Sequence, residues 1–590
     1  MSELDNSTQQ PRRALKLTVF LIPTIFIGLT LYLIYSAVQV QYHLSRVKNE
    51  IQQANLNGTT TNGVAAAKLL DNIRTEISAA HDSTDAPVWW LASHVPYLGR
   101  TPNAIRTSVA TLYGTLEETS QLEERLSAGG TGSSFGNFKF VLSLSDSLVA
   151  LEGPIQSGAK NLTALRLSGV PSIVAKPVSQ LATGYSALVP ITADANLFSQ
   201  VAPSLLGLDQ PRKWMLVFQN GAEARSIGGF PGGWGILTAS EGKLSLSKIY
   251  KETALMNPPL RNYRSYVSAE QAEFYGSDLS RISDLNLSPD FPTNARLMAA
   301  IEEQNFGTKV SGVISMNEQA LANLMKVTGP VKIHGKEIVA EAAADYITKG
   351  VYADFPNPKQ KDAAVFLIIE KTFAKFQSGS VSPIRMLQAF IPAIHDRNLH
   401  AWSSDAVTQK KIAKTPLAGS MTDVKSPTTA VVFVNGAGNK LDAYVHPKVV
   451  YDQGICEADF PYRDASMEIS LQNQAPTEGL PKYVTTRYDL GTLNPTNPGA
   501  TKMIVYVHVP FGSVFESATI NGKETPLLSE GVDLGRSVYR FDVELPAKST
   551  QLLSVKFAEP AIGNEAPASL WTQHMPNSVK AKVIAGLGCN

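Results

Sequence analysis

Cysteine is nearly absent from this chain. Only Cys456 and Cys589 occur among 590 residues. Two cysteines cannot supply a four-ligand zinc site, and neither belongs to a C-x-x-C spacing. Their late positions leave two readings open: a disulfide tying the C-terminal tail to the β-rich part in an oxidising compartment, or two unrelated thiols. An excess of charge of either sign is also missing, with 52 Lys and Arg against 51 Asp and Glu. A formal net charge of +1 creates no field that draws nucleic acid. Beyond a short basic patch at the N-terminus, no run of Lys and Arg interleaves with aromatics, so no nucleic-acid partner is expected. Catalytic signatures are sparse as well. There is no G-x-S-x-G and no H-E-x-x-H, and none of the nine histidines pair at i, i+4. No cofactor fingerprint is evident.

Long hydrophobic runs are missing too, with one exception. Residues 17–38 contain no charged side chain and would span roughly 33 Å as a helix, enough to cross a bilayer. The run is longer than a signal-peptide core, and no A-x-A site follows it. Arg12, Arg13 and Lys16 precede it, which by the positive-inside rule leaves residues 1–16 in the cytoplasm and everything after residue 38 outside. The expectation is a single-pass membrane protein with the bilayer as partner through residues 17–38.

Beyond the span the texture changes twice. Residues 39–202 carry apolar positions at helical spacing, such as Ile73, Ile77 and Ala80, and predict an α-helical stalk or bundle. Residues 203–424 alternate short apolar strands (Trp214–Phe218, Trp234–Thr238, Val310–Met316) with helical segments, which predicts an α/β domain. Residues 425–560 hold seven short strand patterns separated by Asn-, Gly- and Pro-rich turns, Tyr483–Tyr488 among them, which predicts an all-β, sandwich-like domain. Residues 561–590 read as a C-terminal tail.

Two stretches stand out chemically. Between the first two strands of the α/β region, Glu223 and Arg225 precede Gly228, Gly229, Gly232 and Gly233. Successive N–H groups there would form an anion-binding nest with Arg225 supplying charge. Alternatively, the segment is a broad turn in which Glu223 and Arg225 pair. It is neither a dinucleotide fingerprint nor a Walker loop, because a strand follows and Gly-Lys-Ser/Thr is missing. The second stretch places Asp290 just before a helix opened by Pro292-Thr293, with Arg296 one turn on. Asp290 suits a helix cap, or an anion or metal role if a second acid, Asp345 or Asp354, comes near.

Five segments resemble a known family in content and order: FQNGAEARSIGGFPGGWGILTASEGKL, SPDFPTNARLMAAIEEQ, VSGVISMNEQALANLMKVTGPVKI, HDRNLHAWSSD and VFVNGAGNKLDAYVHPKV. Together, over about residues 203–560, they resemble bacterial proteins carrying domain of unknown function 4012. Members look like N-terminally anchored envelope proteins associated with surface polysaccharide. Gly221 and Ala224 stand where the family usually has Asn and Leu, while Glu223 and Arg225 match. A more distant similarity is to the LytR-CpsA-Psr phosphotransferases. In YADFPNPKQKDAAVFLIIEKTF, Lys359 and Gln360 take the places of an Arg and a Gln, and lysine lacks the planar fork of arginine.

The resemblance thus implies a bacterial cell-envelope protein, located in the cell membrane, and leaves its activity open; the first expectation is a non-catalytic role in binding or assembling surface polysaccharide. A phosphotransferase acting on polyprenyl-pyrophosphate-linked glycan, with Mg²⁺, is the alternative, and an adhesin is a third. The phosphotransferase reading requires Arg225, Arg296 and Lys359 to converge with Asp290 or Asp354 in one cleft.

Overall fold

The computed structural model describes the chain apart from residues 1–27, 51–62, 129–137, 252, 254–257, 379–380, 382, 422–427, 456–460, 492–496, 562–567 and 587–590. It divides into two compact units, Met1–Ser199 and Gln200–Asn590.

In the first unit the described elements are helices. One runs over residues 28–50, and others include Gly63–Thr84, Arg100–Glu117 and Glu152–Thr163. Ile77 and Ala80 are fully buried, as their helical spacing requires. Val40 packs with Ala80 and Val109, and polar contacts stitch the same helices, with His43 Nδ1 2.7 Å from Glu76 Oε2.

The expected membrane crossing is corrected here. Among the described residues, no helix is long and apolar enough to cross a membrane. Residues 17–27 of the expected span lie outside the described residues. Its remainder, 28–38, belongs to a helix that continues through Gln39, Gln41, His43, Arg46, Lys48 and Glu50, so the apolar stretch is diluted by polar turns. That helix also lies against protein: Trp89 Nε1 donates to Ser36 Oγ at 3.0 Å, and both residues are buried. The expected fold class is thereby corrected at its transmembrane helix, and the expected single-pass location with it.

Among the described residues, the second unit holds three larger sheets and one two-stranded sheet. The first contains β1 (Arg212–Asn220), β2 (Phe230–Ser240), β3 (Lys243–Leu246), β4 (Tyr250–Lys251) and β5 (Gly312–Met316). After a separate hairpin of β6 (Val331–Ile333) and β7 (Lys336–Ile338), β8 (Leu399–Ser403) completes it. The order is β3-β2-β1-β5-β8, with β4 paired to β2. Only the β1–β5 pair is parallel, so the sheet is mixed. Glu241 and Gly242, both at positive φ, close the β2–β3 hairpin. Helices Phe291–Phe306 and Glu318–Thr328 pack beside the central strands.

Residues 428–584 form two facing sheets. Their strands are β9 (Thr428–Asn435), β10 (Val445–Gln453), β11 (Tyr462–Asn473), β12 (Thr501–Pro510), β13 (Val514–Ile520), β14 (Lys523–Glu524), β15 (Ser529–Asp533), β16 (Arg536–Leu545), β17 (Thr550–Pro560), β18 (Ser569–Thr572) and β19 (Lys580–Ile584). The inner sheet runs β15-β16-β12-β9-β18 and the outer sheet β14-β13-β17-β11-β10-β19. One core lies between them, where Phe433, Val505 and Phe541 meet Tyr451, Ile469 and Val555. On its other face the inner sheet presents Val432, Val434 and Val538 to Leu285, Phe291 and Ile301 of the α/β part. Sheet and α/β part thus share a core and form one unit.

This position explains two sequence textures. β9 is buried at every residue and reads as a continuous apolar run, whereas β11 alternates buried and exposed because its second face meets solvent. Tyr483–Tyr488 is not the expected strand. Pro481 opens a short helix, Lys482–Thr485, and a 3₁₀ turn follows at Tyr488–Leu490. The C-terminal region beyond residue 560 contributes β18 and β19, each added in parallel to a sheet edge. Cys456 and Cys589, and with them the disulfide reading, lie outside the described residues.

Candidate functional site

The loop that joins β1 to β2 is buried, and the rest of the unit is tied to it. Residues Gly221–Gly229 are all buried. Ser226 Oγ donates to the carbonyls of Asn286 and Ser288, and Asn286 Nδ2 donates to Gly229 O. Gly221 N–H donates to Glu318 Oε2 at 3.1 Å, and Ala224 N–H donates to Asp442 Oδ2 at 2.8 Å. Asn317, beside Glu318, donates in turn to Asn398 Oδ1. Parts of all five family-like segments therefore meet around this one loop.

The glycines of the loop divide by role. Gly228 (φ 93°) and Gly229 (φ 144°) adopt backbone that other residues rarely take, and a Cβ on Gly229 would lie 2.5 Å from Asn220 C. Gly232 and Gly233 belong to β2, beyond the irregularity at Phe218/Gln219. The N–H groups of Ser226, Gly228 and Phe230 are held by the carbonyls of Asn286, Arg225 and Glu223. The loop binds its own chain with the groups that a nest would offer to an anion.

Arg225 is held the same way. Its guanidinium donates to Glu223 Oε1 (2.9 Å), Ala224 O (3.0 Å) and Ser283 O (3.3 Å), and lies 5.4 Å from the Phe230 ring centroid. Glu223 Oε2 accepts from Lys440 Nζ at 2.9 Å. Burial pushes the Glu223 carboxyl up, but Lys440 and Arg225 outweigh it and leave it below its ordinary range. Burial likewise lowers Lys440, and the charge of Glu223 more than restores it.

Glu223, Arg225 and Lys440 form one wall of an open cleft of about 390 Å³. The same cleft is lined by Lys251, Lys361 and Asp362, a second carboxylate held between two cations. Lys251 Nζ is 2.9 Å from Asp362 Oδ2, and Lys361 pairs with Oδ1. Burial raises Asp362, yet Lys361 and then Lys251 bring it below the usual carboxylate range. Tyr352 sits near both groups. Its ring lies 5.5 Å from Lys361 Nζ, its hydroxyl accepts from Asn220 Nδ2 at 3.0 Å, and burial drives that hydroxyl up to about 12. Phe230, Tyr483 and Tyr488 complete the aromatic lining, Tyr488 being 60% exposed.

The remaining predicted residues lie elsewhere. Asp290 caps helix Phe291–Phe306, accepting from Thr293 N and Oγ1 and from Ser420 Oγ. With Arg296, which donates to Tyr266 O and Thr293 Oγ1, it lines a different pocket of about 790 Å³. Lys359 is exposed on the first turn of helix Pro358–Gln377. Asp354 is engaged by Lys336 and Tyr346, and Asp345 by Lys349. Arg225, Arg296 and Lys359 do not converge with an acid in one cleft.

Sequence reasoning missed Lys251, Tyr352, Lys361, Asp362, Lys440, Tyr483 and Tyr488. Lys440 falls within a segment already singled out, three residues after Ala437 in VFVNGAGNKLDAYVHPKV. Tyr352, Lys361 and Asp362 likewise fall within YADFPNPKQKDAAVFLIIEKTF, where the similarity picks out Lys359 and Gln360; no single segment shows that the cleft assembles residues more than 100 positions apart.

Compared with known families, residues 209–352 match the one described as "Protein of unknown function (DUF4012)". The match holds the buried loop, Lys251 and Tyr352, whereas Lys361, Asp362, Lys440, Tyr483 and Tyr488 lie beyond it. No curated protein and no solved structure matches the chain.

Proposed function

We propose that this chain, which carries a DUF4012 domain at residues 209–352, is a saccharide-binding protein whose ligand lies in the tyrosine-lined cleft. The observation that carries this reading is the lining. Phe230, Tyr352, Tyr483 and Tyr488 offer aromatic surface, and charged side chains and the Asn220 amide share the lining. Sugars present apolar C–H faces ringed by hydroxyls, and an aromatic side chain with an apolar body and a polar tip suits both aspects. A cleft of this volume falls within the range of ligand sites. The carboxylates are already held between cations, which fits a preformed binding wall better than a general base.

The test is a titration of the full chain with a panel of neutral and acidic oligosaccharides, repeated with Tyr488→Ala. At least one member should bind, and the variant should bind about tenfold more weakly with an unchanged melting temperature, since Tyr488 is mostly exposed. Binding indifferent to Tyr488→Ala, or no binding across the panel, would overturn the reading.

A further inference from the structure

The two carboxylates of the cleft share an arrangement. Glu223 lies between Arg225 and Lys440, and Asp362 between Lys251 and Lys361. Each group joins two cations to one anion. Among the described lining residues, four cations therefore face two carboxylates, a net of two positive charges in a chain whose formal total is +1. All six groups line the same cleft, and Tyr352 stands close enough to Lys440, Glu223 and Asp362 to feel their charges.

From this we infer that the cleft selects an anionic saccharide chain, with one ligand carboxylate at each cation–carboxylate–cation group. The inference rests on the saccharide-binding reading and adds the charge of the ligand. Its physical basis is that the carboxylate of each group is already met by two cations. A ligand anion meeting Lys440 or Lys251 gains attraction without an unpaired protein carboxylate being left behind. Those two lysines are the more accessible cations, with side chains 24% and 42% exposed. Arg225 and Lys361 are nearly enclosed and act by positioning the carboxylates. Lys251 and Lys440 come from β4 and from the turn after β9, so the charge pattern exists only once the two parts of the unit are assembled.

The experiment compares three probes on the full chain by calorimetry: an oligogalacturonate, a neutral cello-oligosaccharide of the same length, and inorganic phosphate. The oligogalacturonate should bind at least tenfold more tightly than the neutral chain, and its affinity should fall as salt rises. Lys251→Gln and Lys440→Gln should each weaken it several-fold and reduce the salt dependence, and should weaken it more than they weaken any binding of the neutral chain. Equal binding of both chains would overturn the inference and leave the saccharide reading standing. Binding of neither would overturn both. Inorganic phosphate competing as well as the oligogalacturonate would also overturn it, because the groups would then be generic anion sites. Circular dichroism and melting of each variant separate lost binding from lost fold.

Discussion

Two kinds of carboxyl hold the same loop, and they solve burial in opposite ways. Glu223 is enclosed with two cations and stays ionised below its ordinary range. Asp442 and Glu318 are enclosed without a paired cation, and burial pushes both up to about 7. Asp442 accepts from Ala224 N–H and Asn435 Nδ2, with Oδ1 unpartnered. Glu318 accepts from Gly221 N–H, and the nearest cationic candidate, His574, is 4.0 Å away and itself lowered to about 4 by burial. The carboxyl that faces the cleft thus keeps its charge, and the two behind the loop keep theirs only at higher pH. Charge is retained where the carboxyl lines the cleft between two cations and given up where it holds the loop from behind.

The most disruptive way to break this comparison is to remove a cation. Arg225→Ala should cost about 3 kcal/mol, since it strips a buried carboxylate of one partner and leaves Lys440 as the other. A shift of the urea midpoint at constant slope measures it, and an unchanged midpoint would mean that Glu223 does not need the pair. Next in size, Gly229→Ala should cost roughly 2 kcal/mol, because φ 144° and contact with Asn220 both oppose a Cβ. Gly232→Ala, whose Cβ would meet nothing closer than 3.9 Å, should stay within about 0.5 kcal/mol of the parent in the same melt.

The pH dependence sharpens the contrast directly. Asp442 and Glu318 have folded values raised above their ordinary 3.8 and 4.5. Their contribution to stability is therefore complete below about pH 4 and is lost as pH rises through about 7. Glu223 has a lowered value, so its contribution is present above about 4.5 and is lost as pH falls. Asp442→Asn should flatten the decline between pH 4 and 7 by on the order of 1 kcal/mol per pH unit. Unfolding free energies at several pH values, with equal slopes in parent and variant, would show that Asp442 does not take up the proton. The smallest effect belongs to Lys359→Ala, which is exposed and not among the residues lining the cleft. It should alter neither melting nor oligosaccharide titration beyond about 0.5 kcal/mol.

How much of this was legible depends on the range of the interactions. The strands around Trp214 and Trp234 and the helix from Pro292 carry local signals, a short apolar run or a Pro one turn from a cap, and they lie inside β1, β2 and helix Phe291–Phe306. Asp290 was readable as a cap for the same reason. Tyr483–Tyr488 misled because a six-residue strand pattern says nothing about Pro481 opening a short helix at its start. The pairing of Arg225 with Glu223 was open to inference from their spacing, but Lys440 was not, being 217 residues from Glu223. A cleft made by bringing β4, helix Pro358–Gln377 and the turn after β9 together leaves no trace in any one stretch. Residues 28–38 show the reverse limit: hydropathy alone does not weigh a helix that continues into polar turns and rests on Trp89.

The strands at the far end of the chain carry a consequence for synthesis. β18 closes the edge of the inner sheet beside β9, and β19 closes the outer sheet beside β10. Both partners emerge from the ribosome more than 100 residues earlier, so two open sheet edges wait for the last segments to arrive. Open edges recruit other strands, and such late, long-range pairing is slow. A ribosome-bound chain stalled before Ser569 would therefore present two adhesive edges to any holding chaperone, and release of the final residues would retire both.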